Sequence, residues 1–142
     1  MNKSIIALVS VLIIGFAQQS TSQQPLTQPK MTVHDLFGME AREVMEGVKA
    51  RGVGAATVRV ARIEVATGFS TPDHNHPDEE IILLLEGRIK AVSGDQEIIV
   101  EPGGLLIFPA YVQHHYEALE SSVTVEVFGP GRRDFDAGGT GD

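Results

Sequence analysis

Cysteine and tryptophan are absent from this 142-residue chain, and aromatic residues make up only 6% of it. Without cysteine there is no disulfide, no thiolate nucleophile and no sulfur ligand, so the fold must rest on its core or on subunit contacts. Basic residues are also scarce: 11 Lys and Arg stand against 19 Asp and Glu, a formal charge of −8. That surface repels phosphate backbones and offers anionic lipid no basic anchor, which argues against nucleic-acid and membrane-surface partners. Neither a phosphate-binding glycine-rich loop nor a nucleophile motif occurs.

Long apolar runs are missing too, with one exception near the N-terminus. Lys3 precedes the apolar stretch Ile5 to Ala17, and a polar segment of Gln, Ser and Thr follows. This order predicts a signal peptide over residues 1–17, cut after Ala17 or near Ser22. The stretch is shorter than the roughly 20 apolar residues that span a bilayer. The expectation is an exported protein, periplasmic or secreted, with no membrane segment after cleavage and no lipid-anchoring cysteine. Residues 18–31, with Pro25 and Pro29, read as a disordered linker, and residues 137–142 as a flexible tail. Residues 32–136 are then long enough for a single core and one domain.

Within that domain, strand signals dominate. β-branched runs occur at Ile81 to Leu85, Ile89 to Val92, Glu97 to Val100, Leu105 to Phe108 and Val123 to Phe128. Turn signals separate them at Gly87, Ser93-Gly94-Asp95, Pro102-Gly103-Gly104 and Glu120-Ser121-Ser122. Short strands spaced by roughly 8–12 residues predict an all-β sandwich or barrel. Val58 to Val60 and Ile63 to Val65 alternate in opposite phase, which predicts a bulge near Ala61-Arg62 and makes Arg62 a candidate cation for an anionic ligand. A short helix is expected around Val33 to Val48, weakened by Gly38 and Gly47. Ile81 to Leu85 is apolar on both faces, so something must cover the outside; a second copy of the chain, giving a homodimer, is the expectation.

The chemistry-bearing residues lie between Gly68 and Gly87. His74 and His76 are two apart and face one way on an extended chain, and Glu80 has the same parity. Two imidazoles and a carboxylate on one interior face make a divalent-metal site. Asp73 and Asp78 are candidates to orient the imidazoles. A fourth ligand should come from the later pair His114-His115, of which only one can point inward. Glu79 has the wrong parity, and His34 precedes the strands; both read as solvated.

These residues resemble the cupin superfamily. Its first motif, G-x5-H-x-H-x3-E-x6-G, is met by Gly68, His74, His76, Glu80 and Gly87. Its second is met in part by Gly103, Pro109 and His114, with Tyr111 in place of a turn glycine and Ala118 in place of an asparagine. The resemblance implies a double-stranded β-helix, a jelly-roll barrel, with one divalent ion (Fe, Mn, Ni, Zn or Cu) held by His74, His76, Glu80 and His114. The segment Val125 to Phe135 is similar to the closing segment of the KdgF-type cupins, which open unsaturated uronate rings. That similarity implies catalytic roles for Glu126, Phe128 and Arg132 on a small anionic substrate, with Arg133 a bystander. Two departures stand out: Glu126 replaces an aspartate, and Glu80 stands where those proteins often carry glutamine. A mononuclear dioxygenase and a non-catalytic periplasmic binding module are the alternatives.

Overall fold

The computed structural model describes residues 30–129. The chain divides into two compact units, Met1–Thr32 and Val33–Asp142. Of the first, only residues 30–32 are described, and they form no element. The leader, nearly all of the linker, the tail, Arg132 and Arg133 lie outside the described residues. Among the described residues no helix is long and apolar enough to cross a membrane.

Nine strands follow one another: β1 (Arg42–Met45), β2 (Val48–Gly54), β3 (Arg59–Val65), β4 (Glu80–Glu86), β5 (Ile89–Ser93), β6 (Gln96–Val100), β7 (Leu105–Phe108), β8 (His115–Ala118) and β9 (Ser122–Phe128). They form a six-stranded sheet in the order β1-β2-β3-β9-β4-β7 and a three-stranded sheet in the order β6-β5-β8. Every neighbouring pair is antiparallel. The architecture is all-β, as the strand spacing predicts, and of jelly-roll type, as the resemblance to cupins implies.

Alternation decides which side chains enter the core. In β4 the run that looked uniformly apolar alternates in burial: Ile82 and Leu84 are fully buried, while Ile81, Leu83 and Leu85 are half-buried on the outer face. Ile82 and Leu84 pack with Ile89, Leu106, Phe108 and Tyr116. A second cluster joins Val48, Ala50, Ile63, Val65 and Phe128. Gly87 lets β4 turn into β5 beside β9, since a Cβ there would sit 2.4 Å from the Ser121 carbonyl oxygen, and its φ of 84° already disfavours other residues.

Two local expectations are corrected. There is no helix over residues 33–48. A single turn, with Met39 N–H donating to the Asp35 carbonyl (3.1 Å), gives way to β1. Gly38 and Gly47 withhold helix propensity, and pairing with β2 gives the β1 backbone its partners instead. Nor is there a bulge at Ala61-Arg62, because β3 pairs without interruption to β2 and to β9 over Arg59 to Val65. Val60 faces outward between Val53 and Val127, so the apparent change of phase reflects the apolar neighbours of that one residue. Arg62 therefore lies on the outside, 5.3 Å over the Phe37 ring.

Candidate metal centre

Three segments bring the centre together. His74 and His76 lie on the extended chain before β4, Glu80 opens β4, and His114 immediately precedes β8. His74 and His114 are directly opposite each other: His74 N–H donates to the His114 carbonyl (3.0 Å) and His114 N–H to that of His74 (2.9 Å). Residues 40 positions apart are thereby locked side by side. One ligand atom from each of the four residues lies within 4.8 Å of the others. His76, Glu80 and His114 are buried, and His74 is half-buried.

The hydrogen bonds around the imidazoles fix which nitrogen is left for an ion. His74 Nδ1 pairs with the Pro72 carbonyl (2.9 Å), His76 Nδ1 with that of Asp78 (2.6 Å) and His114 Nδ1 with that of Val112 (2.8 Å). A carbonyl only accepts, so each Nδ1 carries the proton and each Nε2 keeps its lone pair for the interior. His76 Nε2 then faces Glu80 Oε2 at 3.0 Å and His114 Nε2 faces it at 3.6 Å. Lone pair against carboxylate is repulsive unless a cation or a proton lies between. His114 Nε2, moreover, is buried without a hydrogen-bond partner. Donors of N and O type, preset in tautomer and aimed at one point, fit a divalent ion. Phe108 stacks on the His114 ring at 3.9 Å and 13° and holds its plane.

The other candidates separate clearly. His115 points away from the centre and meets Asp73 at 2.5 Å. Asp78 serves through its backbone carbonyl rather than its carboxylate. Glu79 and His34 are exposed. Glu126 is only 2% exposed and lines the same cavity as His74, Glu80 and His114. It lies opposite Ile82, two residues beyond Glu80, so its row is about 7 Å further along the sheet. Phe128 is buried in the core cluster of β2 and β3 and does not line that cavity. Arg132 falls outside the described residues. No Lys or Arg lines the cavity among the described residues.

Residue patterns alone missed one participant. Thr124, fully buried, donates from Oγ1 to Glu126 Oε1 at 2.9 Å. Its signal was available: a β-branched hydroxyl two residues before Glu126 shares its face. Tyr111 adopts a φ of 64°, and its N–H donates to the His76 carbonyl at 2.7 Å. The turn where a glycine is usual thus keeps its left-handed shape despite the side chain, and it ties the His114 loop to the His76 loop.

The comparisons agree with this geometry. The family model described as cupin domain matches residues 61–128. No curated protein matches. Among solved structures, KdgF from Halomonas sp. is similar at 20% identity and a TM-score of 0.63, covering 68% of this chain and 90% of that one. An RmlC-like cupin from Shewanella frigidimarina gives 20% identity and a TM-score of 0.66, covering 73% and 96%. The polyketide cyclase RemF from Streptomyces resistomycificus gives 22% and 0.61, covering 73% and 82%. At these identities the likeness is one of fold.

Proposed function

We propose that this chain is a cupin, as the match of the cupin domain model over residues 61–128 supports, and that it is a metal-dependent enzyme that moves a proton on a small oxygen-bearing metabolite. One observation carries the reading: the buried carboxylate of Glu126 shares a cavity with His74, Glu80 and His114 of the four-residue cluster without belonging to that cluster. A bound divalent ion would supply Lewis acidity to a substrate oxygen there. Glu126, aligned by Thr124, is placed to accept a proton and return it at another atom of the same substrate. Such an isomerisation needs no co-reactant. For an unsaturated uronate, the anomeric hydroxyl loses its proton, the bond from that carbon to the ring oxygen breaks, and the enol carbon gains a proton.

Support for the uronate version comes from the place of Glu126 and from the likeness to KdgF; its carboxylate clamp would be Arg132. A mononuclear dioxygenase is the second reading. It is favoured by the anionic Glu80 beside three imidazoles, which leaves positions open on an octahedral ion and makes the site electron-rich.

Glu126→Gln should keep its metal and lose turnover by about 10²–10³-fold, read as loss of a 4,5-unsaturated uronate above its spontaneous rate or as oxygen uptake with an enediol panel. Unchanged turnover would remove the role of Glu126. Protein that neither carries nor takes up a divalent ion would remove the whole reading.

The order of charge and apolar residues at the N-terminus supports export to the periplasm or beyond. The apolar outer face of the larger sheet supports a homodimer. Val53, Val60, Val127, Ile81 and Ile107 form one continuous cross-strand row there.

A further inference from the structure

The cavity at the candidate metal centre has two chemically distinct halves. Thr71, His74, Glu80, His114 and Glu126 form a polar end, while Met45, Val48, Ile63, Phe69 and Tyr116 form the rest. The two ends are set apart along the sheet: on β3, Ala61 lies opposite Glu126 and Val65 opposite Val48, four residues apart or about 13 Å. The cavity holds about 380 Å³ of empty space including its mouth. The cavity is bordered by Met45 on β1, which is 46% exposed, so it reaches the surface at that edge of the larger sheet.

We propose that the ligand of this centre is apolar-bodied, with a chelating pair of oxygens at one end and a carbon skeleton of about one ring lying along Val48, Ile63 and Phe69. The inference rests on the metal-centre reading above and selects among its substrates. A sugar acid carries hydroxyls around its whole ring. Set against Ile63 and Phe69, those hydroxyls would lose water without gaining hydrogen bonds. An enolic or catecholic head, by contrast, needs polar partners only at the metal end, where Glu126 can take its proton. The apolar wall rewards the rest by burial.

The test uses the full chain loaded with zinc, which is redox-inert, and begins with a zinc titration followed by calorimetry of three probes: acetohydroxamate, benzohydroxamate and glucuronate. The two hydroxamates share a chelating head and differ by methyl against phenyl. Benzohydroxamate should bind roughly 30-fold more tightly, and Met45→Lys should cut that advantage to about 3-fold or less. Equal affinity for the hydroxamates, an undiminished phenyl advantage in Met45→Lys, or tighter binding of glucuronate would overturn the apolar-body proposal and leave the metal centre standing. Failure to take up zinc would instead overturn the metal centre, and this proposal with it.

Discussion

Each ligand imidazole is set by a carbonyl two residues away, and this is how single residues make the centre. Pro72, Asp78 and Val112 contribute only backbone, so no side-chain pattern announces them. The repulsion left among the Nε2 atoms and Glu80 is what an ion would relieve, so binding of a metal there would be coupled to local stability. Tyr111 shows the opposite device, a residue held against its own preference. An L side chain at φ 64° costs about 1–2 kcal/mol, and Tyr111 is 73% exposed, so its ring returns little by packing. Tyr111→Gly should therefore raise stability by about 0.5–1 kcal/mol, the strain relieved less the extra freedom of glycine in the unfolded chain. Urea denaturation reads this directly, and equal or lower stability would show that the ring makes contacts worth the strain.

At the scale of elements, β2 and β3 present small or apolar side chains inward and a charged clip outward. Arg51 and Arg62 both bind Glu64, and Arg51 also donates to the carbonyls of Phe37 (2.9 Å) and Met39 (3.0 Å). The clip holds the turn before β1 against the sheet. Burial opposes the charge on Glu64, but the hydrogen bond and field of Arg62, then those of Arg51, more than offset it and hold its pKa below the usual value. A carboxylate with a depressed native pKa contributes stability that is present above its unfolded pKa and disappears as pH falls through the native one. Glu64→Gln should thus lower stability at neutral pH and flatten its decline below about pH 4.5. Melting temperatures measured from pH 7 to pH 3 test this; parallel curves for the two proteins would mean that Glu64 contributes nothing. Alternation in the β3 sequence misled at Val60, which faces outward between Val53 and Val127 while Arg62 and Glu64 hold the rest of that outer face.

For the molecule as a whole, that outer face is the open account. The row from Val53 to Ile107 is joined by Val125, Leu83 and Leu105, and its end on the edge strand β7 leaves Leu105 58% and Ile107 49% exposed. An apolar face continuing to an uncovered edge invites pairing. Light scattering at micromolar concentration should give a dimer mass, and the double substitution Leu105→Lys with Ile107→Glu should give a folded monomer. A wild-type monomer would end the dimer proposal.

The sequence by itself determined the strand count only approximately, but it picked out the four residues that the fold brings together. Spacing of two and four residues on an extended chain dictates that His74, His76 and Glu80 share a side. Strands β1 and β8 escaped it. β1 sits between glycines that weaken any local pattern, and β8 gains its identity from pairing with β5 rather than from its own four residues. Tertiary structure alone decided what lies across from what. Glu126 enters the cavity because β9 runs between β3 and β4, and the apolar half of that cavity exists because β1 and β2 extend the sheet past it. Such neighbours are far apart along the chain, and only strand order and register, summed over the whole sheet, bring them together.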